Sequence, residues 1–219
     1  QVAPPGSGYV KVATGNQNYG TLFVKSDGSL WGAGPYFEGN DVLRDIGPRQ
    51  LDTSPVTSYA IGGYVGMNYA LWTRPDGSLW AVGRSSNGLF GDGINQNYLW
   101  NPTQLQATGV ASVTAGVSHS LIVKTDGSLW AAGKNEYGQL GDGTTQTRMT
   151  YVKVVDANVT AAWAGNTHSL FLKSDGTLWA MGRNHVGQLG DGNTTDSLVP
   201  VQATISNVAS FSARANNPS

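Results

Sequence analysis

The 219 residues include no cysteine. Disulfides, thiolate metal centres and cysteine nucleophiles are therefore all excluded. Charge is scarce as well. Asp, Glu, Lys and Arg make up 12% of the chain, about half the roughly 25% of an average soluble domain. The two signs balance, 13 basic against 14 acidic residues for a net charge of −1, so no long-range field steers a nucleic-acid backbone toward the chain. No apolar run approaches the twenty or so residues of a membrane-spanning helix. Helical periodicity is missing throughout. There is no Gly-x-Ser-x-Gly elbow, phosphate loop or His-Glu-x-x-His, and the acids Glu38, Asp41, Asp45, Asp52, Glu136, Asp156 and Asp196 are scattered without a recurring acid–base partner. These absences argue against an enzyme and imply no cofactor.

Glycine is abundant instead: 30 of 219 residues, about twice the usual 7%. Much of it is periodic. Lys25-Ser26-Asp27-Gly28-Ser29-Leu30-Trp31 returns as Arg74-Pro75-Asp76-Gly77-Ser78-Leu79-Trp80, then as Lys124 to Trp130 and Lys173 to Trp179, with steps of 49, 50 and 49 residues between the aspartates. An Asp-Gly pair between two apolar runs is a hairpin signal, because glycine takes the positive φ without a Cβ clash. A second glycine turn follows in three units: Gly88 to Gly93, Gly138 to Gly143 and Gly187 to Gly192. Seven of the fourteen acids sit in these Asp-Gly turns. Turn hydrogen bonding accounts for them better than calcium does, since the loops lack dense oxygen-ligand alternation.

Each unit reads as four strands. One precedes the hairpin, two form it, and a less regular one follows, carrying Pro200 in the fourth unit, which suits a sheet edge. Four strands per unit of about fifty residues is the pattern of a propeller blade. We expect an all-β fold of four blades, each of four antiparallel strands, over repeats at about 9–56, 57–109, 110–158 and 159–207, with 1–8 as a linker or processed N-terminus.

The stretch Ala115-Gly116-Val117-Ser118-His119-Ser120-Leu121, then Asp126-Gly127-Ser128-Leu129-Trp130, then Gly138-Gln139-Leu140-Gly141, resembles the repeat of the regulator-of-chromosome-condensation family. Repeat four matches as closely through Gly165, His168, Trp179 and Gly187-Gln188-Leu189-Gly190. The resemblance implies a seven-bladed propeller. It implies no single function, since such repeats serve exchange factors, sensors and binding proteins alike. Seven units would need about 350 residues. Here there are four, plus Val208 to Ala213, which read as the opening strand of a fifth. The propeller is thus expected to be incomplete in this chain, or completed by further sequence or by another copy.

Repeat one departs from the pattern. Pro35-Tyr36-Phe37-Glu38 replaces the second glycine turn, and Gly20 stands where the others have Tyr69, His119 and His168. The two histidines in that column are expected to be structural. The four repeat tryptophans are expected to pack between blades. The loops that vary on the fixed frame are the candidate recognition surface: Tyr36, Phe37, Asn87, Asn135, Tyr137, Asn184 and His185. Together these readings describe a non-catalytic binding or scaffold module that takes a protein or carbohydrate ligand and no nucleic acid. It is placed outside the cell or on its surface by low charge, absent cysteine and the Asn/Thr/Gly-rich surface. A structural subunit of an extracellular assembly, and an intracellular guanine-nucleotide exchange or chromatin-binding propeller, are the alternatives.

Overall fold

The protein is described by a computed structural model over residues 8–14, 20–34, 47–64 and 67–209. Among these residues every regular element is a strand, sixteen in all. They form four separate sheets, each a four-stranded antiparallel meander in chain order. Blade one holds β1 (Tyr9–Thr14), β2 (Thr21–Lys25), β3 (Leu30–Ala33) and β4 (Arg49–Asp52). Blade two holds β5 (Ser58–Tyr64), β6 (Met67–Thr73), β7 (Leu79–Ser86) and β8 (Gln96–Gln106). Blade three runs through β9 (Val110–Ala115), β10 (His119–Lys124), β11 (Leu129–Gly133) and β12 (Arg148–Val155). Blade four runs through β13 (Val159–Ala164), β14 (His168–Lys173), β15 (Leu178–Gly182) and β16 (Ser197–Gln202), with Pro200 on its outer edge. No ladder joins blade four to blade one among the described residues.

The repeated heptad builds one device four times. In blade three the Asp126 carboxylate accepts from the Ser128 amide (2.9 Å) and hydroxyl (2.6 Å), and Trp130 Nε1 donates to that hydroxyl oxygen (2.8 Å). The same bonds recur at Asp27, Asp76 and Asp175, with Thr177 replacing serine in blade four. The preceding cation lies over the indole, 3.7 Å from the ring centre for Lys25 and 4.2 Å for Lys173. Hydrogen bonds from the serine or threonine hold each of these carboxyls below its usual range. Turn chemistry thus consumes the aspartates, as their spacing implies.

Blades are joined by apolar faces and by backbone. Alternate residues of a strand point to opposite neighbours. Tyr69 and Leu71 of β6 pack against Val113 and Ile122 of blade three, while Ala70 and Trp72 pack against Leu22 and Val24 of blade one. Leu121 and Val123 of β10 meet Val159 and Phe171 of blade four. Trp80, Trp130 and Trp179 each lie against the core shared with the preceding blade, between blades as expected. The carbonyl of each turn glycine accepts the amide opening the next unit: Val56 on Gly28 (3.1 Å), Val110 on Gly77 (3.0 Å), Val159 on Gly127 (2.9 Å) and Val208 on Gly176 (3.1 Å). Val208 therefore docks as the first residue of a unit does. It is not in a strand here, and 210–213 lie outside the described residues.

The junction of blades one and two adds a buried ion pair that the repeat pattern does not announce. Asp52, 4% exposed, accepts from Arg74 Nε (2.8 Å), Arg74 Nη2 (3.0 Å) and Trp72 Nε1 (2.7 Å). Two outcomes are expected. Asp52→Ala should cost about 2–4 kcal/mol in urea unfolding, because it strands a buried indole N–H and a partly buried guanidinium. Ser128→Ala should cost about 1–3 kcal/mol by orphaning the indole donor of Trp130, whereas Ser128→Thr, the blade-four solution, should be nearly neutral.

Candidate functional site

The column Tyr69, His119, His168 runs along the inner strands β6, β10 and β14, and its first two members tie successive blades together. The Tyr69 hydroxyl lies 2.9 Å from the Gly116 carbonyl and 3.2 Å from that of His119. It is fully buried, and burial raises it well above the usual phenol range. His119 Nε2 lies 2.9 Å from Ser169 Oγ of blade four. That serine donates its only hydroxyl proton to the Gln139 carbonyl (2.7 Å). Nε2 must therefore carry the imidazole proton and donate it to Ser169. Nδ1 is then unprotonated, and it has no hydrogen-bond partner in its buried position. Burial, with a smaller contribution from His168, pushes His119 down to about 3. The column histidine at this junction is structural. One position on, Ser120 Oγ donates to the Leu89 carbonyl and meets the Tyr151 hydroxyl (2.9 Å), a second latch between blades.

Close approach at the axis depends on glycine. A Cβ at Gly116 would collide with the carbonyl oxygen of Gly165 on the next blade, to which Val117 N–H donates (3.1 Å). Gly62 and the Gly116 carbonyl repeat this between blades two and three.

The candidate recognition loops follow β11 and β15. In blade three the Asn135 side chain spans its loop: Nδ2 donates to Asp142 Oδ1 (3.0 Å) and the Thr144 carbonyl (2.9 Å), and Oδ1 accepts from Leu140 N (2.9 Å). Asn184 does the same in blade four, to Asp191, Thr195 and Leu189. Both asparagines are 0% exposed. They hold the loops in shape and present nothing to a ligand. Gln139 Oε1 and Gln188 Oε1 brace the same loops by accepting from Tyr137 N and Val186 N. Asn87 sits at φ 58° in the blade-two turn, its amide 3.4 Å from Ser86 Oγ. Tyr36 and Phe37 lie outside the described residues.

Tyr137 and His185 lie in corresponding loops of adjacent blades. The Arg183 guanidinium lies 4.8 Å from the centre of the Tyr137 ring. His185 is exposed, with Nδ1 3.4 Å from Gln188 Nε2, and the adjacent Val186 is 72% exposed. Lys134 and Glu136 form an exposed pair at 3.0 Å. The loops read from the sequence as the recognition set, Lys134 to Tyr137 and Arg183 to Val186, thus contain outward groups in Glu136, His185 and Val186 and two internal asparagines. The repetition of Asn and Gln at matching places in repeats three and four was the available signal that these are scaffold. Among the described residues no three His, Asp or Glu side chains converge as metal ligands.

Meandering four-stranded sheets, stacked face to face through a shared turn device, define a β-propeller built of sequence repeats. The models of the regulator of chromosome condensation (RCC1) repeat match residues 110–139 and 161–188, and 126–172 and 175–213. Residues 110–213 thus carry repeats of that family. No curated protein sequence matches the chain significantly. Among solved structures it is similar to human WBSCR16, with 22% identity, a TM-score of 0.76, and coverage of 93% of this chain and 55% of that one. It is also similar to yeast RCC1 (Prp20) bound to Kap60, with 18% identity, a TM-score of 0.73, and coverage of 90% and 50%. Prp20p from Saccharomyces cerevisiae, in a structure reported with its binding to Gsp1p and histones, gives 17% identity, a TM-score of 0.71, and coverage of 90% and 51%. The chain thus spans about half the length of the solved structures it matches.

The His119 environment yields a pH dependence. Its folded pKa lies below the ordinary 6.5, so the unfolded chain binds the extra proton between about 3 and 6.5. Its contribution is complete above 6.5 and is lost as pH falls through that window. The melting temperature should drop from pH 7 to pH 4.5, equivalent to a few kcal/mol at most. His119→Gln, which keeps a donor for Ser169 but cannot titrate, should flatten that slope.

Proposed function

We propose that the chain is a non-catalytic binding module that engages a protein partner through the loops following β11 and β15. The carrying observation is a set of outward groups on two adjacent blades: Arg183 lies over the Tyr137 ring, and exposed His185 and Val186 follow Arg183 in the same loop. An aliphatic group, an aromatic ring with a stacked guanidinium and an imidazole, all on loops pinned from within by Asn135 and Asn184, suit a protein surface: a rigid frame lowers the ordering cost of binding, and aromatic and arginine groups carry interface energy. A protein is favoured over a carbohydrate because a face of the Tyr137 ring is already taken by Arg183. The yeast structure of the same fold is bound to a protein, Kap60, which supports the same class of partner. An extracellular setting is part of this reading, and it would be withdrawn if fractionation of producing cells found the chain only inside them.

A photoreactive residue placed at Val186 identifies the partner by cross-linking, and its affinity is then measured on the intact chain. Tyr137→Ala combined with His185→Ala and Val186→Asp should weaken binding about tenfold or more, or roughly 1.4 kcal/mol, with an unchanged melting curve. Unchanged affinity would place recognition elsewhere on the propeller.

A further inference from the structure

Between blades two and three, at the strand ends that carry the Asp-Gly turns, the surface folds in as a groove of about 510 Å³. One wall is the turn from Arg74 to Gly77. The other is Thr108 and Gly109, with Thr125 beside them. Backbone bonds fix both walls: Val110 N–H donates to the Gly77 carbonyl (3.0 Å) and Thr125 N–H to the Gly109 carbonyl (3.0 Å). The junction of blades three and four is built the same way, with Val159 N–H on the Gly127 carbonyl (2.9 Å) and Ser174 N–H on the Asn158 carbonyl (2.8 Å). Gly109 and Asn158 therefore hold one place in the repeat, both in the left-handed region, at φ 85° and 70°. Asn158 carries an amide side chain there. Gly109 carries none, and a Cβ on it would meet no atom beyond its chain neighbours within 4 Å. The groove opens at the junction where the repeat gives up that side chain.

Four polar groups line the groove with hydrogen-bonding capacity to spare. Asp76 Oδ1 accepts from the Ser78 amide (2.9 Å) and hydroxyl (2.6 Å), which leaves Oδ2 as an acceptor without a partner among the described residues. Those bonds also hold the carboxyl below its usual range, so it is ionised at neutral pH. Arg74 gives Nε and Nη2 to Asp52 and lies 3.9 Å from the centre of the Trp80 ring, and its Nη1 remains as a donor. The hydroxyls of Thr108 and Thr125 sit on exposed residues and have no partner among the described residues. The set is thus an ionised acceptor, a cationic donor and two hydroxyls that can do either. A cationic ligand would meet Arg74, and an anionic one would meet Asp76. A neutral ligand dense in hydroxyls suits all four groups, because each hydroxyl gives one bond and takes up to two. No aromatic ring lines the groove, so it lacks the aromatic anchors that protein interfaces favour. Its volume falls in the range of small-molecule sites.

We propose that this groove binds a neutral saccharide, whose hydroxyls donate to Asp76 Oδ2, accept from Arg74 Nη1 and bond the Thr108 and Thr125 hydroxyls. Asp52 and Trp80 already hold the guanidinium in place, so little ordering remains for the ligand to impose. The site is separate from the loops assigned to a protein partner. Those loops follow β11 and β15, whereas the groove lies at the turns that join β6 to β7 and β10 to β11, at the other end of the strands. The two readings stand or fall independently.

Binding of the full chain to an array of neutral, anionic and amino-sugar oligosaccharides tests this, with the best-bound neutral saccharide then titrated by calorimetry. The expected result is retention of neutral saccharides in preference to charged ones. Gly109→Asn introduces the residue found at the next junction, which tolerates the left-handed backbone, and should fill the groove. Asp76→Asn keeps an acceptor for Ser78 and loses the carboxylate. Each should weaken binding about tenfold or more, as expected for losing hydrogen bonds to a charged group or access to it. Thr108→Val, at an exposed position, should weaken it by less. Gly109→Asn and Thr108→Val should melt as the parent chain does. Tyr137→Ala combined with His185→Ala and Val186→Asp should leave saccharide binding unchanged. Failure to retain any saccharide, retention of charged saccharides alone, or undiminished binding in Gly109→Asn would each overturn the proposal. Weaker binding of the cross-linked protein partner to Gly109→Asn would also overturn it, by assigning the groove to that protein.

Discussion

Successive blades approach closely enough to share backbone hydrogen bonds, and the rest of the structure depends on that closeness. At the rim, each turn glycine carbonyl receives the amide that opens the next unit. At the axis, Gly116 and its counterparts leave no room for a Cβ against the neighbouring carbonyl. With backbone bonded to backbone at both ends of the junction, the space between sheets is fixed, and side chains must fill it as they find it. Tyr69, His119 and Ser169 do this by reaching carbonyls and hydroxyls that the fixed spacing sets 2.7–3.2 Å away. The polar column thus follows from backbone geometry, and its buried imidazole stays neutral because it lies where water does not reach.

Much of this was legible before any coordinate. The Asp-Gly-Ser/Thr-Leu-Trp device is local, spans five residues and repeats at a constant step, so periodicity exposes it and turn chemistry explains it. His119 was legible as structural from its place in a repeat column, and its bond to Ser169 of the next blade agrees with that. The Asp52–Arg74–Trp72 network was not. Its members come from two different repeats, occur once, and bond across 20 and 22 residues, so no period marks them. That network strengthens the one described junction at which the column offers only Gly20 and Ala70.

The loops show a different limit. Variation between repeats suggests recognition, yet each loop mixes scaffold with surface. Asn135 and Asn184 look like surface amides in the sequence. They are buried because each amide supplies both a donor and an acceptor to its tight loop, serving two backbone groups at Asn135 and three at Asn184. Blade two shows what happens without this device. Ser85 takes the equivalent place, its hydroxyl is buried without a partner, and β7 and β8 run on as a longer ladder, pairing Ser85 with Asn97 and Ser86 with Gln96.

Low charge acquires a structural meaning in this setting. In every blade the basic residue of the repeated heptad lies over that blade's tryptophan, and four acids are hydrogen-bonded by the serine or threonine two residues on. These charges serve the turns, and their fields largely cancel at short range. What remains for a partner is contact at close quarters: shape, a few aromatic and aliphatic groups, and the donors of a fixed loop. Association on such a surface proceeds without strong steering, so its specificity must come from fit.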